Sequence, residues 1–267
     1  LTGETTGKDG ATMWQPFDLT GRTAVVTGSG RGLGKAAALG LGAAGAHVVT
    51  NARTPETCAA TAAEIRDAGG RASHHVADIT ERAACDDLIV AALEATGRLD
   101  ILVCNAASNL HTDAAEVSEE MWRTCLDIEL TGYFFMCQAA YRPMRERGGG
   151  SIVFIASNSS VVGYAGLVTV ATAKGALGQL ARNLAVEWGP DNIRVNTMNP
   201  GYTEHLPPAG DVNPGEGDLE DEVRNLTPLG RRGRIEEFAD PVVFLASDAS
   251  AYVTGQSLMV DGGYCIK

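Results

Sequence analysis

The chain predicts an α/β protein: a doubly wound parallel sheet of about seven strands with helices on both faces, formed as a single domain over residues 18–267. Three observations carry this. Short β-branched runs alternate with longer Ala/Leu-rich stretches of helical period. The runs are apolar throughout, as strands buried on both faces are. Helical stretches separate successive runs, the pattern of right-handed crossovers between parallel neighbours.

Taken in order, LTGETTGKDGAT is small, polar and aperiodic, so residues 1–17 read as a disordered arm or an expression scar, with a start at Met13. Strands follow at TAVVT (23–27), HVVT (47–50), SHHV (73–76), DILVC (100–104), SIVFIA (151–156), IRVNTM (193–198) and SLMV (257–260). Helices are predicted over 32–44, 55–68, 80–95, 118–147, 169–189 and 235–247. The arrangement is Rossmann-type, and such sheets bind ligands beyond the carboxyl ends of their strands. One stretch breaks the rhythm. EHLPPAGDVNPGEGDLEDE crowds Pro, Gly and acids into 202–230, directly after a strand's C-terminal end, and is expected to form a substrate lid.

Composition excludes several classes of function. A net charge of −12 with no basic stripe repels nucleic acid and anionic membrane surfaces. No apolar run approaches the roughly 18–20 residues of a membrane span, and the N-terminus lacks a signal pattern, so a cytoplasmic protein is expected. The six cysteines (58, 85, 104, 125, 137 and 265) have no metal-ligand spacing and read as small buried hydrophobes; no metal site is expected.

The first crossover carries the chemistry. In TGSGRGLG, Gly28, Gly32 and Gly34 stand where a strand turns into a helix, so that backbone N–H groups can approach a pyrophosphate at the helix N-terminus. After the second strand, TNART places Ala52 and Arg53 where an NAD site would offer an acid to the ribose 2′-hydroxyl. Arg53 and Arg31 instead suit a 2′-phosphate, which favours NADP(H) over NAD(H).

Together, TGSGRGLG, ADIT with Asp78, NAAS with Asn105, IAS with Ser157, AKG with Lys174, NPG with Pro200 and Gly201, and VDGG at 260–263 resemble the short-chain dehydrogenase/reductase family. The resemblance runs from about Leu19 to Gly263. It implies a small-molecule substrate, a nicotinamide cofactor, and a homodimer or homotetramer built on the helices near 118–147 and 169–189. Carried over by position, Leu33 belongs to the glycine loop, Asp78 and Ile79 meet the adenine, and Asn105, Ala106 and Ala107 line the ribose side. Pro200, Gly201 and Thr203 sit by the nicotinamide, Ser157 holds the substrate oxygen, and Lys174 holds the nicotinamide ribose.

Three departures fall in the catalytic ring. Val170, four residues before Lys174, stands where the family carries its catalytic tyrosine. Glu129 replaces an asparagine that organises a proton-relay water, and His205 replaces a threonine. Valine supplies no proton, so Glu129, Lys174 and His205 become the ionisable candidates, with Tyr164 and Tyr202 as displaced phenols. Burial is expected to raise the Glu129 pKa, while Lys174 pulls it the other way. Three readings stay open: an NADP-dependent oxidoreductase with a rebuilt proton relay, a redox-neutral dehydratase, isomerase or cyclase that keeps a bound dinucleotide, and a non-catalytic partner protein. The apolar wall at 161–170 suggests a bulky, weakly anionic substrate.

Overall fold

The computed structural model describes residues 4–6, 12–108, 110–204, 221 and 223–267. Within the stretch expected to be an arm, β1 (Glu4–Thr6) and β2 (Thr12–Trp14) pair as a short antiparallel ladder of their own. The main domain then runs β3 (Thr23–Val26), α1 (Gly32–Ala43), β4 (His47–Ala52), α2 (Pro55–Asp67), β5 (Arg71–Val76), α3 (Arg82–Thr96), β6 (Ile101–Cys104), α4 (Glu119–Leu126), α5 (Gly132–Arg147), β7 (Gly150–Ile155), α6 (Val168–Trp188), β8 (Ile193–Pro200), α7 (Ala239–Ala246) and β9 (Ser257–Val260).

The predicted seven-stranded sheet is present, in the order β5-β4-β3-β6-β7-β8-β9 with every ladder parallel. The chain winds outward from β3 to β5, then returns to place β6 on the other side of β3. That reversal opens a crevice above the ends of β3 and β6, where a doubly wound sheet takes its ligand.

Strand alternation divides the core between the two faces. Val25, Leu102 and Phe154 point to the face covered by α3, α5 and α6, against Leu88, Met136 and Leu177. Ala24, Val26, Ile101 and Val153 point to the opposite face, against Leu41, Ile65 and Val242. β3 and β6 are buried along their whole length. β5 carries polar, partly exposed residues because it is an edge.

Two predicted helices differ from expectation. The stretch expected as one helix over 118–147 is α4 and α5 joined by a π turn, Asp127–Thr131. The one expected over 235–247 begins as a 3₁₀ turn, Ile235–Phe238, before α7. Of the expected lid, residues 205–220 and 222 lie outside the described residues. Its flanks are tied down: Thr203 bridges Gly233, and the Leu229 N–H donates to the Gly262 carbonyl at 3.1 Å. Among the described residues no helix is long and apolar enough to cross a membrane.

Candidate active site

A cleft of about 520 Å³ opens above the C-terminal ends of the central strands. It gathers every expected cofactor residue except Gly34 and Thr203, and with them Ser157, Val170 and Glu129. A second cavity of about 500 Å³ is lined by Tyr202, residues 227–229 and the end of β9; it takes in that displaced-phenol candidate and none of the expected cofactor residues.

The glycine loop is glycine for steric reasons. Gly28 has φ +62°, and a Cβ there would stand 2.8 Å from the Ala106 backbone. At Gly34 a Cβ would fall 2.2 Å from Asn105 Nδ2 and 2.4 Å from the Gly28 carbonyl oxygen. Asn105 explains this crowding, because its side-chain amide donates to the Thr27 carbonyl (3.1 Å) and the Gly28 carbonyl (3.0 Å). Asn105 thus lines the cleft as expected, while its amide clamps β3 to β6. Ser29 ties the same loop to β4, since its hydroxyl accepts from the Asn51 N–H at 2.9 Å. α1 starts behind Arg31 with no side-chain cap and no acid in its first turn, so its free N–H groups and its positive end face the cleft. The cradle fits a dinucleotide pyrophosphate.

On the adenosine side, β4 ends in Asn51 and Ala52 and is followed by Arg53, with no carboxylate among them. Arg53 is 70% exposed, and its Nη1 lies 3.9 Å from Asp78 Oδ2. The other Asp78 oxygen accepts from the Thr80 N–H (3.0 Å) and hydroxyl (2.8 Å), forming a turn ahead of α3. The guanidinium is therefore only loosely held and can turn toward a phosphate.

The other end of the cleft is organised around Lys174. Its Nζ donates to the Ile155 carbonyl at 2.9 Å, lies 3.1 Å from Glu129 Oε2, and sits 5.4 Å from the centre of the Tyr133 ring. Glu129 is fully buried. It faces inward from the π turn, a local irregularity common at functional sites. Its Oε1 accepts from the Ser108 N–H (3.0 Å) and the Ser108 hydroxyl (2.5 Å), and Cys125 Sγ approaches at 3.7 Å. Among the described residues no hydrogen-bond donor is well aligned on Oε2, so its contact with Lys174 is held chiefly by charge.

Burial pushes the Glu129 carboxyl up, but the Lys174 ammonium and the Ser108 bonds outweigh it and hold Glu129 below the usual carboxylate range. The expectation of a raised Glu129 is corrected accordingly: the group stays ionised at neutrality, since the attracting charges lie within bonding distance.

Ser157 follows β7, where its hydroxyl accepts from the Ser159 N–H at 3.1 Å and donates to Asn158 Oδ1 at 3.3 Å. Tyr164 accepts from Asn158 Nδ2 at 2.6 Å and packs with Tyr202 and Tyr264. Neither Tyr164 nor Tyr202 lines the main cleft. Burial, then the bond with Tyr264, pushes the Tyr164 phenol well above its ordinary range. Thr203 is buried with its hydroxyl unpartnered among the described residues, and His205 lies outside them. Sequence reasoning missed the roles of Ser108, Asn158 and Tyr264. Only Ser108 carried a signal, as the polar residue directly after Asn105, Ala106 and Ala107.

Comparison with known proteins agrees with this geometry. Residues 28–265 match the family described as Enoyl-(Acyl carrier protein) reductase. Gluconate 5-dehydrogenase of Gluconobacter oxydans is 35% identical over 94% of this chain and 97% of its own. D-threitol dehydrogenase of Mycolicibacterium smegmatis is 37% identical over 94% and 95%. The crystal structure of a gluconate 5-dehydrogenase from Burkholderia cenocepacia in complex with NADP and tartrate superposes with a TM-score of 0.89 at 35% identity, covering 94% of this chain and 98% of that one.

Proposed function

Because the chain belongs to the short-chain dehydrogenase/reductase family, we propose that it is an NADP(H)-dependent oxidoreductase that interconverts a secondary alcohol and its ketone on a polyhydroxylated small molecule. Proton delivery in this reading bypasses residue 170. The observation that carries it is the single cleft in which the glycine cradle, Arg53 and the Ser157–Lys174 pair converge. Relatives named for gluconate and threitol support the substrate class, and the NADP-bound relative supports the cofactor.

When bound, the nicotinamide supplies or accepts the hydride. The residues of this chain do the rest. Gly28 and the first turn of α1 hold the phosphates, and Arg53 and Arg31 select the 2′-phosphate. Ser157 orients the substrate oxygen through its hydroxyl. Lys174 places a fixed positive charge at the cleft floor, where alkoxide character develops, and Glu129 keeps that ammonium in position. Val170, half-buried in the cleft wall, excludes water and contributes no proton.

Val170 also favours a second reading, a redox-neutral catalyst that keeps the dinucleotide as part of its pocket. A panel of polyols, aldonates and bulkier alcohols offered with NADP⁺ and NAD⁺ separates the two. Turnover on a polyol with NADP⁺ preferred supports the first reading. Tight NADPH binding with no oxidation or reduction across the panel supports the second.

A further inference from the structure

We propose that Asn158 makes the cleft prefer an alcohol to its ketone at the reacting position, by taking up the Ser157 hydroxyl proton and leaving Ser157 as an acceptor. The inference rests on the oxidoreductase reading, and it makes Asn158 and Tyr164 positioning residues that act through Ser157.

The assignment follows from which group must donate to which. The 3₁₀ turn Asn158–Ser160 behind Ser157 is fixed to β8, since the Ser160 hydroxyl donates to Asn199 Oδ1 at 2.9 Å. Asn158 is 6% exposed, so its amide can turn only by giving up its partners. Asn158 Nδ2 donates to the Tyr164 phenol oxygen at 2.6 Å. That phenol has a single proton, which its bond with Tyr264 engages, in keeping with the upward push of that bond on the Tyr164 pKa. Tyr164 therefore has none to give Asn158, and the amide is held with Nδ2 toward the phenol and Oδ1 toward Ser157. The rings keep this order: Tyr264 stacks on Tyr164 with centroids 5.9 Å apart, and Tyr202 meets both edge on. Tyr264 is itself seated by Asp261, whose carboxylate accepts from the Gly263 and Cys265 N–H groups at 2.9 and 2.8 Å.

The consequence falls on Ser157, which lines the cleft. A carboxamide oxygen only accepts, so the Ser157 hydroxyl donates to it, at 3.3 Å. One lone pair of the same hydroxyl is taken by the Ser159 N–H at 3.1 Å. One lone pair and no proton remain for a ligand. A substrate alcohol donates its O–H to that lone pair with nothing broken. A ketone oxygen has no proton to give, and it gains a bond from Ser157 only when the bond to Asn158 is released. Val170, in the same wall, offers the ketone no donor in its place.

The test uses the polyol that wild type oxidises fastest with NADP⁺ and the ketone it forms. Calorimetry measures the alcohol binding to the NADPH complex and the ketone binding to the NADP⁺ complex, two pairings that cannot exchange a hydride at that carbon. Asn158→Ala frees the Ser157 proton and should shift the ratio of the two dissociation constants roughly 3- to 10-fold toward the ketone, the scale of one neutral hydrogen bond. Tyr164→Phe keeps the stacked ring but releases the amide to turn, and should move the ratio the same way. Asn158→Asp presents only acceptors and should keep the preference for the alcohol. NADPH affinity should not change, because neither Asn158 nor Tyr164 lines the cleft. An unchanged ratio in Asn158→Ala overturns the inference and leaves the oxidoreductase reading standing. Equal weakening of both ligands with a lowered melting temperature assigns Asn158 to packing and also overturns it. If Asn158→Ala does not fold, the ratio in Tyr164→Phe decides in the same way. Absence of hydride transfer by wild type with every polyol overturns both.

Discussion

Replacing Lys174 with methionine removes the ammonium while keeping a long side chain, and it leaves the Glu129 carboxylate buried without a counter-charge. Glu129 is 0% exposed and would keep only its bonds from Ser108 and Cys125. Breaking one side of a buried pair typically costs about 3–5 kcal/mol. With Oε1 still satisfied, the lower half of that range is expected at pH 7, measured by urea unfolding at fixed protein concentration. The pH dependence gives the sign. In wild type the Glu129 pKa is depressed, so the pair stabilises the protein above the unfolded carboxylate value, near 4.3, and that stability is lost as pH falls through the folded value. In Lys174→Met desolvation acts without the ammonium, the Glu129 pKa moves up, and the gap from wild type should narrow as pH drops. Adding Glu129→Gln removes the stranded charge, so the double variant should be more stable than Lys174→Met alone. A Lys174→Met protein within about 1 kcal/mol of wild type at pH 7, a loss expected of an exposed pair, would refute the reasoning.

Arg53→Ala should weaken NADPH binding roughly 10- to 100-fold, the scale of one charge-assisted hydrogen bond, and leave NADH almost unchanged; fluorescence titration of both cofactors measures it. Gly34→Ala should abolish cofactor binding in the same titration, because its Cβ would overlap Asn105 Nδ2 at 2.2 Å and displace the Asn105 clamp. Light scattering should give a dimer or tetramer at micromolar concentration. Trp122, Phe134, Val168 and Val186 stay exposed on α4, α5 and α6, whereas Ala173, one of the small residues of α6, is spent on the core.

What could be read from the sequence was local. TGSGRGLG announces itself because a glycine turn between strand and helix needs no distant partner to be recognised, and the apolar runs at Ile101 and Ile152 mark strands buried on both faces. β5 begins two residues before its predicted start because Arg71 and Ala72 pair with β4, which the polar composition of an edge strand conceals. The π turn is hidden because one extra residue within a helix leaves apolar spacing on either side intact. The contact between Ser108 and Glu129 spans 21 residues and forms only when the loop after β6 folds against that turn. The direction of the Glu129 shift was equally out of reach, because it depends on distances to Lys174 and Ser108 that spacing does not give.

The most direct test of the oxidoreductase reading is isotope transfer from NADPH deuterated at the nicotinamide C4. Incubated with the protein and the ketone derived from a polyol of the panel, NADPH carrying deuterium at both C4 positions should deliver deuterium to the carbinol carbon of the product, one label per NADPH consumed. Product formed without label and without loss of NADPH would contradict the account and establish redox-neutral chemistry in the same cleft.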